Sequence, residues 1–132
     1  MPYDEISLKV REIVARLFER DAATLSDETL LMQDLPCESI DLLEVSVQLG
    51  GTFHIFVDEE RAFLRSLRYQ LAGAPDAAAF LREHYSHLDE ARRQQLAAYY
   101  TDADGMALQS PLTLGDIARW VEQALDATRQ GA

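Results

Sequence analysis

Apolar residues recur with helical spacing in this 132-residue chain, and that spacing constrains its fold more than any other feature. In the first segment they fall at i, i+4, i+7, i+8 and i+11, at Ile6, Val10, Ile13, Val14 and Leu17. Such spacing places apolar side chains on one face of an α-helix and leaves charges on the other. We expect this first helix to end near Asp21, where the period is lost.

A second apolar period begins at Ser39 and predicts a second helix. Its apolar positions form two adjoining stripes, Ile40, Leu43 and Val47 in one and Leu42, Val45 and Leu49 in the other. Nearly the whole helix surface is thus apolar or small, so we expect this helix to be central. Gly50 and Gly51 are expected to end it or to let another backbone come close.

Capping signals predict further helices. Thr113 followed by Asp116 fits a capping box that opens a last helix near 113–127. Residues 61–110 predict two or three helices, with a break at Gly73 and Pro75, and Ser86 with Asp89 as a cap before the third. The sequence therefore predicts an all-α fold.

Charge and composition narrow the class of protein. The formal net charge is −11, and residues 1–60 hold 14 acids against 4 bases. This balance argues against nucleic-acid binding, and it favours partners that present Arg and Lys. A lone cysteine, an N-terminus without a basic start and the lack of an apolar span favour a cytoplasmic protein without membrane spans.

The run DLPCESIDLLEVSVQL, residues 34–49, is the most informative segment. It places Ser39 between the acids Glu38 and Asp41 at the opening of the apolar helix. Backbone N–H groups and the helix dipole favour an attached anion at such a position. A serine there can also be a plain helix cap, so the residue alone leaves both interpretations open.

This run resembles the signature of the acyl carrier protein family, which is Asp-Leu, two small residues, Asp-Ser-Leu and an acid at the opening of the second helix. Residues 53–60 resemble the family's segment that closes helix two, and TLGDIARWVEQAL resembles its last helix. The resemblance implies an antiparallel helical bundle within a single domain, residues 1–132. Its carrier core is residues 1–60 and 111–130, and residues 61–110 are a helical insertion before the last helix.

The resemblance also implies a function. Ser39 takes a 4'-phosphopantetheine arm from a phosphopantetheinyl transferase, and the arm holds acyl intermediates as thioesters for fatty acid, lipid or polyketide-type biosynthesis. The chain itself is then not an enzyme. Its partners are acyl-transfer or synthase enzymes with basic docking surfaces, and the residues expected to meet them are Glu38, Ile40, Asp41, Glu44 and Val47.

Some residues depart from the family pattern. Pro36 and Cys37 stand where small residues are usual, Glu38 stands for Asp, and Gly50, Gly51 and Thr52 replace acids. Specialised partners are expected for this reason. The insertion could enlarge an apolar pocket for the acyl chain or dock a dedicated enzyme. The rival interpretation is a non-enzymatic interaction module in which Ser39 stays unmodified.

Two candidate sites have a structural interpretation beside the functional one. Cys37 is expected to be a packed or half-exposed thiol rather than a nucleophile, because no partner base has a recognisable motif. His84 and His87 lie at i, i+3 and could bind a metal, but they lack a fixed set of further ligands and favour a polar helix face.

Two further patterns carry charge. Asp102, Asp104 and Gly105 have the wrong register for a calcium loop and predict a turn. Arg61, Arg65 and Arg68 at i, i+4 and i+7 form a basic stripe, which is either a solvated face, a partner for acids of residues 1–60, or a grip for phosphate.

Overall fold

A computed structural model describes residues 1–101 and 109–131, and the side chains of all of these except 129–131. In these ranges all the regular elements are helices, which confirms the all-α prediction. They are α1 (Tyr3–Leu17), α2 (Leu31–Asp34), α3 (Asp41–Phe53), α4 (Glu59–Ala62), α5 (Leu67–Ala72), α6 (Ala77–His84), α7 (Glu90–Thr101) and α8 (Leu114–Gly131), with a 3-10 turn at Ala22–Thr24. None of the described helices is long and apolar enough to cross a membrane.

Helix α1 packs on α3 and α8 through the face that its spacing predicts. Ile6, Val10, Ile13 and Val14 are buried on that face. The helix ends at Leu17, four residues before Asp21, and Glu19 takes a positive φ of 55°. Positive φ is incompatible with a continuing right-handed helix, so the chain turns away there.

Helix α3 is only half buried, and the expectation that it lies at the centre is wrong. Its inner side is buried, while Ile40, Leu43 and Val47 are exposed. Gly50 and Gly51 lie inside the helix rather than ending it. A Cβ on Gly50 would lie 3.2 Å from the carbonyl oxygen of Ile55, so the expected close approach of backbone is present. The helix ends at Phe53 because His54 adopts a left-handed conformation.

Asp27 ties the loop after α1 to the first turns of α1 and α8. Its carboxylate accepts hydrogen bonds from the Tyr3 hydroxyl at 2.7 Å and the Ser7 hydroxyl at 2.5 Å. Its backbone carbonyl accepts from the N–H of Gly115 at 2.9 Å. A Cβ on Gly115 would come within 3.0 Å of that carbonyl, so glycine allows this approach.

The predicted capping box opens α8. The Thr113 N–H donates to the Asp116 carboxylate at 3.0 Å, and the Asp116 N–H donates to the Thr113 hydroxyl at 3.1 Å. The same carboxylate, 2 % exposed, receives two hydrogen bonds from Arg92 of α7 at 2.8 and 2.7 Å. Arg92 also donates to the carbonyl of Pro111 at 2.6 Å. One guanidinium therefore ties α7 to the start of the last helix.

Residues 61–110 contribute α5, α6 and α7 to the same hydrophobic cluster as the rest of the chain. The break at Gly73 is confirmed, because it follows the end of α5. Asp89 caps α7 through the N–H of Arg92 at 2.8 Å, whereas Ser86 accepts from the Gln123 amide. The apolar run from Phe63 to Leu71 is not one helix, because Leu64 has a positive φ of 54°.

His87 lies in the core, not on the polar helix face that its spacing favours. It is buried, and its Nε2 has no hydrogen-bond partner among the residues that the structure describes. Burial lowers the pKa of His87 to about 4, although the nearby Asp116 carboxylate acts in the opposite direction. The folded protein therefore keeps this imidazole neutral where the unfolded chain would begin to protonate it.

We predict that this histidine makes the protein less stable in mild acid. Between the folded pKa of about 4 and the unfolded value of 6.5, the unfolded state binds more protons, so stability falls as the pH is lowered. From pH 7 to pH 5 the loss is about 2 kcal/mol of unfolding free energy. Urea unfolding of the wild type and His87→Phe at both pH values measures it.

The substitution should remove about that part of the pH dependence. His84→Phe is the matched control, since His84 is only half-buried on α6. Equal pH dependence of the wild type and His87→Phe would contradict the prediction.

Candidate functional site

Buried residues before α3 place Ser39 at the surface. Leu35 and Cys37 point into the core, whereas Pro36 and Glu38 between and after them are exposed. This alternation anchors the segment from the end of α2 to the start of α3. Ser39 is exposed in the turn directly before α3.

Asp41, the first residue of α3, bonds back to the segment before the helix, and no side chain caps the helix at its N-cap position, Ile40. The Glu38 N–H donates to the Asp41 carboxylate at 2.8 Å, and the Asp41 N–H donates to the Glu38 carbonyl at 2.9 Å. Ser39 Oγ forms no hydrogen bond with any residue that the structure describes. The hydroxyl is therefore accessible for modification and has no capping contact in the described structure.

Two cavities adjoin Ser39. The first, about 270 Å³, lies towards α5 and α7, and its lining is Met32, Ser39, Leu42, Phe63, Leu64, Arg65, Arg68, Tyr100 and Ser110. The second is a more open cavity of about 570 Å³, lined by Met32, Cys37, Glu38, Ser39, Ile40, Gln109 and Ser110. We call the first the arginine cavity. It brings side chains of residues 61–110 to the predicted modification site.

The basic stripe is divided by the interruption between α4 and α5. Arg61 pairs with Asp58 at 3.9 Å, and Arg65 pairs with Glu59 at 3.6 Å, so both contact acids of residues 1–60. Arg68 donates to the Tyr69 hydroxyl at 3.3 Å, with its guanidinium 5.1 Å from the centre of that ring. Arg65 and Arg68 line the arginine cavity, and Arg61 does not.

Tyr100 adds a neutral donor to the arginine cavity. Burial raises the pKa of Tyr100 to about 12. The phenol therefore stays protonated at neutral pH and can donate a hydrogen bond. Tyr100 and Arg68 also line a neighbouring, mostly apolar cavity of about 350 Å³ that includes Leu71 and Ala77.

An apolar face of α3 is open to solvent beside Ser39. Ile40 is 76 % exposed, and Leu43 and Val47 follow on the same side of the helix. Glu38 and Glu44 are exposed and Asp41 is half-exposed, so every residue predicted to meet a partner reaches the surface. Partner contact itself stays a prediction.

The sequence interpretation of the partner surface missed two exposed apolar residues. Leu43 belongs to the same apolar stripe as Ile40, so helical spacing alone could have included it. Phe56 is 91 % exposed in the segment after α3, and no sequence pattern singles it out.

Three further candidates from the sequence are the Cys37 thiol, the pair of histidines and the predicted turn. The expectation of a packed thiol is confirmed, because Cys37 is buried, 6 % exposed, with its Sγ 3.6 Å from the Glu38 carbonyl. No group of three or more metal-ligating side chains occurs among the described residues, which include His84 and His87. The turn predicted from Asp102, Asp104 and Gly105 lies outside the residues that the structure describes.

Comparison with known proteins supports the resemblance to the acyl carrier protein family. The acyl carrier protein of Lactobacillus acidophilus is 29% identical to this chain over 84 residues, which is 64% of this chain and 98% of that protein. No family model and no solved structure matches the chain. The similarity suggests the acyl carrier protein family, but it does not delimit residues 61–110 as an insertion.

We predict that the Cys37 thiol reacts slowly in the folded protein. Burial, followed by the Asp41 carboxylate, raises its pKa from 9.0 to about 11. Since the thiolate is the reactive form, its lower population alone slows alkylation about 100-fold at pH 8. Iodoacetamide labelling in native buffer and in urea, followed by mass spectrometry, measures the ratio. Comparable rates in both, or labelling of Cys37→Ser, would contradict this assignment.

Proposed function

We propose that this protein is an acyl carrier whose Ser39 bears a 4'-phosphopantetheine arm. The observation that carries the proposal is the exposed Ser39 hydroxyl before α3, which makes no hydrogen bond with the described residues. The similarity to a curated acyl carrier protein supports the same role. Residues 1–60 and 111–130 form the carrier core in this proposal, and residues 61–110 are its insertion.

The residues around Ser39 fit such an arm. The hydroxyl is accessible from two cavities, so a phosphodiester on Ser39 has room without displacing the core. The N-terminal end of α3 and the arginines of the first cavity favour a negative charge there. When attached, the arm supplies a thiol that holds an acyl group as a thioester.

The carrier role requires no catalysis by the chain itself. The relative is named an acyl carrier protein, and proteins of that kind hand their cargo to enzymes and are not enzymes themselves. Tethering raises the effective concentration of the acyl group at each partner's active site. An interaction module with an unmodified Ser39 is the alternative, and the similarity does not favour it.

The exposed face of α3 is the proposed docking surface for partner enzymes. Ile40, Glu44 and Val47 lie on it, with Glu38 and Asp41 at its end beside Ser39. Apolar side chains surrounded by carboxylates suit partners that present a basic rim around an apolar patch. These partners are a phosphopantetheinyl transferase and acyl-transfer or synthase enzymes of fatty acid, lipid or polyketide-type biosynthesis, and the cytoplasm is their proposed compartment.

Of the two roles considered for residues 61–110, an extended cargo pocket is favoured. The apolar cavity of about 350 Å³ is lined by α5, α6 and α7, and it shares Arg68 and Tyr100 with the arginine cavity beside Ser39. An arm on Ser39 that lies in the arginine cavity would bring the acyl group on its thiol towards this apolar cavity. Each buried methylene would contribute about 0.8 kcal/mol.

The proposal predicts that Ser39 is the modified residue. Incubation of the full chain with coenzyme A and a broad-specificity phosphopantetheinyl transferase should add one arm, measured as intact mass. Ser39→Ala should add none, because the acceptor hydroxyl is gone. Ser110→Ala is the matched control, since Ser110 lines the same two cavities and its loss should leave the modification intact.

Two outcomes would contradict the carrier assignment. One is a wild-type mass that does not change, which would leave the interaction module as the better explanation. The other is an arm that is still added to Ser39→Ala.

The docking surface predicts that charge reversal slows this modification. Glu44 is exposed on α3, and its carboxylate accepts only from the Gln48 amide at 3.3 Å among the described contacts. Glu44→Lys should lower the transferase kcat/KM about tenfold through weaker steering of a basic partner. Glu12→Lys, an equal charge change on the exposed side of α1, is the control and should have little effect. Equal rates for the two variants would exclude Glu44 from the docking surface.

A further inference from the structure

We propose that Arg65 and Arg68 bind the phosphodiester that joins the arm to Ser39, so that the carrier holds the base of its own arm. This inference rests on the proposed function, because it concerns the anion expected on Ser39. It assigns a binding role to side chains of α5 and of the segment before it.

The placement of the two arginines carries the inference. Both line the arginine cavity together with Ser39, and among the described residues the lining contains two cations and no carboxylate. This composition is unusual for a chain with 23 acids and 12 bases. The acids nearest in sequence to Ser39, Glu38 and Asp41, are not part of that lining.

Residues 1–60 contribute no Lys or Arg to the described lining of the arginine cavity. The 4 bases of residues 1–60 are Lys9, Arg11, Arg16 and Arg20, all before the loop that leads to α3. The cations beside Ser39 therefore come from residues 61–110. Guanidinium groups suit this task, since their planar N–H groups match the oxygens of a phosphate.

Among the described residues, Arg65 contacts a neighbouring carboxylate and Arg68 contacts a neighbouring tyrosine. Arg65 pairs with Glu59 at 3.6 Å, and their side chains are 40% and 35% exposed. Because solvent screens an exposed ion pair, this pair is readily rearranged. Arg68 is oriented by its contacts with Tyr69. Tyr100 stands in the same cavity as a neutral hydroxyl, which can donate a further hydrogen bond to a phosphate oxygen.

Holding the phosphodiester has a consequence for the cargo. Arg68 and Tyr100 also belong to the lining of the apolar cavity between α5, α6 and α7. An arm fixed at its base on this side of Ser39 is directed towards that cavity rather than towards solvent. The arginines would therefore select the resting direction of the arm.

The test compares the full chain before and after loading with the arm, whose presence is first verified by intact mass. Phosphorus NMR reports the environment of the phosphodiester, and nitrogen–proton spectra report the arginine Nε–H groups. Loading the wild type should shift the Nε–H signals of Arg65 and Arg68 but not that of Arg82. Arg82 is exposed on α6 and does not line the arginine cavity.

In the variant Arg65→Gln/Arg68→Gln the phosphorus signal should lose its shift and return to the position of a free phosphodiester. Arg82→Gln is the matched control and should retain the wild-type phosphorus signal. Equal phosphorus signals in the wild type and the double variant, with unmoved arginine signals on loading, would overturn the inference.

The two proposals fail in different ways. A wild type that gains no mass contradicts the carrier function and this inference together. A wild type that gains the arm but shows no arginine shift contradicts only the phosphate contact. If the double variant does not fold, the wild-type arginine signals before and after loading decide the question without any substitution.

Discussion

The hydrogen bonds of the buried Asp116 carboxylate are the interaction on which the start of the last helix depends. It closes the capping box of α8 with Thr113 and receives two hydrogen bonds from Arg92 of α7. A buried carboxylate is stable only with such partners, and loss of one partner would leave an uncompensated charge in the core. This ion pair therefore ties α7, which belongs to residues 61–110, to the start of the last helix.

In the proposed carrier, the two sides of helix α3 have different tasks. Leu42, Val45 and Leu49 hold it in the core, while Ile40 and Val47 remain in solvent. Leaving large apolar side chains exposed forgoes the free energy of burial, so this face is expected to be covered by something else. A docking role explains why a helix that is apolar on nearly every side is packed on only one of them.

Residues 61–110 bring positive charge to a candidate site whose own segment is acidic. The first 60 residues carry a strong negative charge, yet one cavity at the candidate site is lined by Arg65 and Arg68. In the proposed carrier, the acidic face of α3 meets basic partners and the arginine cavity binds the phosphodiester.

Sequence alone determined the helical class, the buried face of α1 and the capping box at Thr113 and Asp116, since all three depend on local spacing. The candidate serine came from the resemblance of residues 34–49 to the acyl carrier protein signature, because spacing alone also fits a plain helix cap. It predicted the second helix but not its half-exposed state, because burial of a face depends on which other helices pack against it. The helix interruption at Leu64 also escaped prediction, since the apolar run from Phe63 to Leu71 has helical spacing throughout. That interruption divides the arginine stripe. Only tertiary packing decided that Arg65 and Arg68, but not Arg61, would line the cavity beside Ser39. Local periodicity specifies which side chains share a helix face, whereas contacts between residues far apart in the chain decide what that face meets.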